Sequence, residues 1–203
     1  MVESVRSIIS TKAMSHLLLL ALAVSATGVA AQLTERTMPS QKQSSRADSP
    51  EVNELLNQAK AQANQLKIDA SDMESFTRTD VAWETQASKI NQVKGDVNAV
   101  SRTIAKMRDE EPMASEWQKM AIARTQPLLK ELVANTTAVI EHLNKDRGRN
   151  LHTEEHKDML QMNADLSSEL STVINDFINY GNTKNKFYAL RQKLEVSEAG
   201  SKQ

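Results

Sequence analysis

The chain contains no cysteine. That absence removes disulfides, thiolate zinc and iron–sulfur sites, covalent c-type haem, a cysteine nucleophile and the lipidated cysteine of a bacterial lipoprotein. Glycine and proline are sparse too, five and four in 203 residues, against about 12% in ordinary proteins, which leaves few sites for the tight turns of an all-β sandwich or barrel. The five glycines are scattered singly, so no phosphate-cradling loop and no nucleotide site is indicated. Charge of one sign is missing as well. The 25 basic and 26 acidic side chains nearly cancel, and neither end carries the charge block that a nucleic-acid surface or a polybasic membrane contact needs. What remains is about one domain of mostly helical chain.

The first fifty residues have their own order. Arg6 and Lys12 precede the apolar run Leu17 to Val24, and small residues follow through Val29-Ala30-Ala31. The run is shorter than the roughly 20 residues of a spanning helix, and basic, apolar and small residues in that order read as a secretory signal cleaved near Ala31. The alternative is an uncleaved N-terminal anchor. Residues 1–31 are therefore expected to be a signal peptide and the mature chain periplasmic or secreted, with no integral membrane span. Residues 32–49 are polar, with one Leu and one Met, too little apolar surface to offset the entropy of ordering, so a disordered tether is expected there.

From residue 50 the apolar spacing is helical. Val52, Leu56, Ala59, Ala63, Leu66, Ala70 and Met73 alternate intervals of four and three, a coiled-coil-like seam, with Ser49 as cap and Pro50 in the first turn of a helix over 50–74. A second seam, Trp83, Ala87, Ile90, Val93, Val97, Val100, Ile104 and Met107, predicts a helix over 79–109. Ser115 and Gln118 have the capping-box spacing and open a third helix over 116–146, with seam residues Trp117, Met120, Leu129, Leu132, Thr136, Val139 and Leu143. Pro127 should kink it. Thr153, followed by Glu154 and Glu155, caps a fourth helix over 154–196, lined by Met159, Leu166, Leu170, Val173, Phe177, Phe187 and Leu194, with a bend expected near Gly181. Residues 197–203 are expected to be a disordered tail. Short connections between long helices predict an all-α, elongated up-down-up-down four-helix bundle with coiled-coil-like packing over 50–196.

Two patterns could carry chemistry. His152-Thr153-Glu154-Glu155-His156 has the spacing of inverted zinc proteases, but Thr153 is the better helix cap, which leaves His152 outside the helix and splits the pair. The up-down topology would bring Met73, Trp83, His142, His156, Met159 and Met162 to one end, where thioethers and imidazoles suit copper(I) or a non-covalent haem. Methionine is also an ordinary filler of irregular cores. The reading of the residues is no metal, no cofactor and no catalytic group. Asn135-Thr136-Thr137 matches a glycosylation sequon but falls inside the third helix and reads as structural.

Ile140-Glu141-His142-Leu143-Asn144-Lys145, the stretch Asp176 to Lys184, Glu74-Ser75-Phe76-Thr77 and Trp83 resemble segments of a set of exported bacterial helical proteins with no assigned activity. The resemblance covers most of the chain after the tether. It implies an exported bacterial helical protein and assigns no site residue. The expectation from sequence is thus an exported, non-enzymatic interaction or structural bundle of the bacterial envelope. Its partner is an unidentified protein or a second copy, the latter through Ile122, Ile174 and Ile178 beside the seams, and not nucleic acid. A copper- or haem-binding bundle is the alternative.

Overall fold

The computed structural model describes residues 46–146 and 151–200. The expected leader, most of the expected tether and residues 201–203 lie outside the described residues. Four helices make up the fold: α1 (Pro50–Ser75), α2 (Trp83–Asp109), α3 (Glu116–Asp146) and α4 (Glu154–Gly200), with single 3-10 turns at Phe76–Arg78 and Glu111–Met113. No strand occurs among the described residues. Helix α1 packs against α2 and α4, and α3 packs against the same two.

The helix starts follow local chemistry. The Ser49 hydroxyl accepts the Val52 N–H at 3.3 Å, and Pro50 occupies the first turn, where a missing N–H costs nothing. Ser49 is buried and Asp48 is bonded to Trp117 and Lys184, so these two residues at the end of the expected tether pack with the helices. Helix α2 starts at Trp83 rather than at residue 79 because Thr79 is extended after the 3-10 turn and Ala82 is the cap residue. No side chain caps this start; the Trp83 indole donates to the Leu143 carbonyl near the end of α3 at 3.0 Å. At α4 the Thr153 hydroxyl accepts from the His156 N–H at 3.3 Å.

Helix α3 runs through Pro127 without interruption. Helix α4 likewise runs through Gly181 to Gly200 without a break. Gly181 has a packing role. A Cβ there would lie 2.7 Å from Cη2 and Cζ2 of Trp117, closer than carbon atoms approach, so the missing side chain is what lets α4 lie against the indole.

All seven residues of the α1 seam are buried. In α4 the register differs from the apolar pattern: Leu160, Asn163, Ala164, Ser167, Leu170, Ser171, Ile174 and Ile178 face inward, while Met159, Leu166 and Phe177 are only partly buried. Phe187 and Leu194 are exposed, as is Met120 of α3. Ile122, Ile174 and Ile178 are buried core residues, which removes them as a self-association surface.

Side-chain bonds show which helix ends meet. Lys89 near the start of α2 holds Asp69 and Asp72 near the end of α1 at 2.7 and 3.0 Å. Gln86 meets His156 at the start of α4. At the other end Gln118, early in α3, bonds Ser49 and Asn53 at the start of α1, and Lys184 of α4 bonds Asp48. Between the ends, Ser171 of α4 donates to Asn64 of α1 at 2.7 Å. Asn135 of α3 donates to Asn163 of α4 at 2.9 Å and to the Met159 carbonyl at 2.7 Å.

Candidate functional site

Three polar centres lie within the helical packing. The first gathers part of the expected metal constellation. His142 of α3 and His156 of α4 stack with ring centroids 5.3 Å apart and planes 16° from parallel. His156 Nε2 lies 2.9 Å from the Gln86 side-chain oxygen, which makes that nitrogen the N–H and leaves Nδ1 as the lone-pair atom. His156 Nδ1 and His142 Nε2 are buried without partners. Burial, with the charges of His142 and His152 adding to it, pushes the His156 imidazole down to about 4, so it is neutral at ordinary pH. Of the thioethers, Met73 is a core residue, Met159 is partly buried and Met162 is 53% exposed.

A ligating nitrogen points its lone pair in the plane of its ring, about 2 Å from the ion. Two nearly parallel, stacked imidazoles do not aim at one point, so this arrangement would have to rotate a ring before both could hold one ion. Among the described residues no group of three or more His, Asp or Glu side chains is placed to hold a metal. His152 is exposed beside Asp80, at 3.8 Å, while His156 is buried. The protease spacing therefore does not bring its two imidazoles to one face.

The second centre is at the opposite end. Gln118 is fully buried, and its amide uses both of its atoms twice. Its oxygen accepts from the backbone N–H groups of Ser49 and Ser115, each at 2.9 Å. Its nitrogen donates to the Ser49 carbonyl and to Asn53 Oδ1, each at 2.9 Å. This is one arm of the expected capping box, extended to clamp a second helix; the Ser115 hydroxyl, the other arm, does not accept from the Gln118 N–H. Beside it Asp48 Oδ1 accepts from Trp117 Nε1 at 2.7 Å and Lys184 Nζ at 2.8 Å. Burial raises the Asp48 carboxyl, but the side chains of Lys184, Ser115 and Trp117 as donors, and the Lys184 charge, outweigh it and hold it below the usual carboxylate range. A cavity of about 110 Å3 adjoins Trp117, walled by Asn53, Asn57, Asn182 and Asn185 over Leu56 and Ile178. It has room for a few waters and no acid, base or nucleophile in its wall.

The third centre was not singled out by spacing. Asp69 is buried and accepts from Gln65 at 2.9 Å and Lys89 at 2.7 Å. Burial raises the Asp69 carboxyl, yet these bonds and one with Asp96 hold it low. Asp96 moves the other way: burial first, then the hydrogen bond and charge of Asp69, push it up to about 6, against a smaller opposing pull from Lys89. The Asp69 carboxyl is thus held towards its ionised form, while the neighbouring Asp96 carboxyl is pushed towards its protonated form.

Asn135 of the sequon is buried and bonded to α4, as its structural reading requires. No helix among the described residues is long and apolar enough to cross a membrane. No protein-family model, curated protein or solved structure matches the chain.

Proposed function

We propose that the chain is an exported, non-enzymatic helical module of the bacterial envelope that acts through its outer surface, as an up-down-up-down four-helix bundle in the periplasm or outside the cell. The topology draws support from the way the ends meet: the end of α1 with the start of α2, and the starts of α1 and α3 together. Export draws support from the order of residues 1–31 in the sequence.

One observation carries the functional reading. The inward positions are occupied, and their polar members mostly bond one another, whereas Tyr180, Phe187, Tyr188, Leu190 and Leu194 of α4 are at least half exposed. Large apolar side chains concentrated on one exposed segment mark an interaction surface. The copper- or haem-binding alternative rests on the two unpartnered imidazole nitrogens of His142 and His156, and their stacking weighs against it.

Protein purified from its native compartment tests both. The proposal expects an N-terminus at Gln32, a colourless sample without stoichiometric metal, and an envelope partner whose capture is lost when Phe187, Leu190 and Leu194 are changed to Ser. A copper or haem absorption band lost in His156→Ala would replace it with the alternative, and an N-terminus upstream of Leu17 would contradict the cleaved leader.

A further inference from the structure

The last turns of α4 leave the bundle. Lys184 is bonded to Asp48 just before the start of α1, and every residue from 185 to 194 is exposed. At 1.5 Å per residue, the stretch 185–200 runs for about 24 Å. Tyr180, Thr183, Phe187, Leu190 and Leu194 recur at intervals of three and four, so they form one stripe along the helix. Its apolar members are 54%, 61%, 60% and 64% exposed in chain order. The chain has only two tyrosines and three phenylalanines, yet both tyrosines and Phe187 are exposed on this one segment. Aromatics so scarce would ordinarily be kept for a core.

The charges around the stripe narrow the choice of partner. Lys184, Lys186, Arg191 and Lys193 lie between Thr183 and Leu194 with no acidic residue among them, and Glu195 and Glu198 are the only acids that follow before Gly200. At 100° per residue, Lys184 and Arg191 border one side of the stripe and Lys186 and Lys193 the other, while Asn182, Asn185, Ala189 and Gln192 on the far side are uncharged. A second copy packed antiparallel on the same stripe would set these basic borders against each other, which is unfavourable. An apolar strip with aromatics, bordered on both sides by cations that can reach along their stems to phosphate level, is the pattern of a helix lying in an anionic bilayer surface.

We propose that the Tyr180–Leu194 face of α4 docks on a lipid surface containing anionic headgroups, with Phe187, Leu190 and Leu194 entering the acyl boundary and Lys186, Arg191 and Lys193 at the headgroups, while Lys184 keeps its bond to Asp48. This rests on the reading of the chain as an interaction module and names its partner. The helix lies in the plane of the surface and does not cross it.

The absence of cysteine makes a local test possible in the full chain, whatever its leader does. Leu190→Cys and Gln192→Cys, on opposite sides of the helix, each receive one nitroxide label. Vesicles of seven parts phosphatidylcholine to three parts phosphatidylglycerol are added at about 0.1 M salt, where electrostatic attraction still reaches about 10 Å. The label at 190 should become accessible to oxygen and shielded from a water-soluble nickel complex, while the label at 192 stays open to both. In phosphatidylcholine alone the vesicle concentration needed for that change should rise by about tenfold or more. Equal responses at 190 and 192, or no response at 190, overturn the proposal. Spin–spin broadening at 190 without vesicles, with both reagents excluded, would mean helix pairing between copies; that overturns lipid docking and leaves the interaction-module reading standing.

Discussion

Gly181 of α4 lies so close to Trp117 of α3 that a single added carbon would come within 2.7 Å of two indole ring atoms. The same indole donates to Asp48 at 2.7 Å and packs 6.1 Å, centroid to centroid, from Tyr180. The ring is thus fixed on several sides and has little freedom to yield. Gly181→Ala gains up to about 1 kcal/mol of helix propensity, but overpacking a rigid ring costs about 1–3 kcal/mol. The variant should be the less stable by about 1–2 kcal/mol in urea unfolding, and Trp117→Phe should lessen the penalty of the alanine. An alanine that stabilises in the wild-type background would show that the close approach is not a constraint.

Gln118 should be among the least replaceable side chains. Gln118→Leu keeps the volume but strands two buried backbone N–H groups, while the Ser49 carbonyl keeps its bond from the Asn53 N–H. At about 1–3 kcal/mol for each stranded group, partly relieved by water at the helix ends, the loss should be about 3 kcal/mol or more. Gln118→Glu should be milder than leucine because its oxygens still accept both N–H bonds. Chemical denaturation of the two variants side by side checks the order.

His156 should make the fold acid-sensitive in a defined window. Its native value of about 4 lies below the ordinary 6.5, so as pH falls from 6.5 towards 4 the unfolded chain takes up a proton that the native imidazole refuses. Stability is then lost on acidification, by up to about 3 kcal/mol, and the loss levels off below pH 4. Thermal melts of wild type and His156→Gln across pH 7 to 4 should diverge in that window, the variant showing the shallower decline.

Asp96 acts in the opposite sense. Its native value of about 6 lies above the ordinary 3.8, so above pH 6 the fold carries an ionised carboxylate that the unfolded chain accommodates more easily. Asp96→Asn should stabilise the protein by about 1–2 kcal/mol at pH 7, the gain shrinking below pH 6 and vanishing near pH 4. Melting temperatures at pH 7 and pH 4 separate this from a gain that is the same at both.

The helices were legible in the sequence to the extent that their cores are apolar. The α1 seam is apolar throughout, and every member is buried. In α4 the inward positions include Asn163, Ser167 and Ser171, which carry no hydrophobic signal and are tolerated because Asn135 reaches Asn163, Asn64 reaches Ser171 and Ser167 donates to the Asn163 carbonyl. The apolar pattern followed the neighbouring stripe of Met159, Leu166 and Phe177 instead, and it continued onto Phe187 and Leu194 where no other helix remains to cover them. Gln86 and Gln118 are core residues by partnership rather than by hydropathy, so spacing identified Gln118 only as a cap and did not identify Gln86 at all. The Asp69–Asp96 pair depends on two helices meeting at one level, a relation that no single segment records. His142 and His156 were placed at one end by topology alone, but the angle between their rings is set by packing, and that angle decides what they can bind.

The role of the chain turns on whether the exposed end of α4 carries binding. Fractionation of cells expressing either the wild-type chain or Phe187→Ser/Leu190→Ser/Leu194→Ser compares the share of the protein that sediments with membranes. These side chains are 61%, 60% and 64% exposed, so the variant should melt within about 1 kcal/mol of wild type. Wild-type protein retained with the membranes and variant protein released to the soluble fraction is the expected result; equal partition of the two, with melting unchanged, would contradict it.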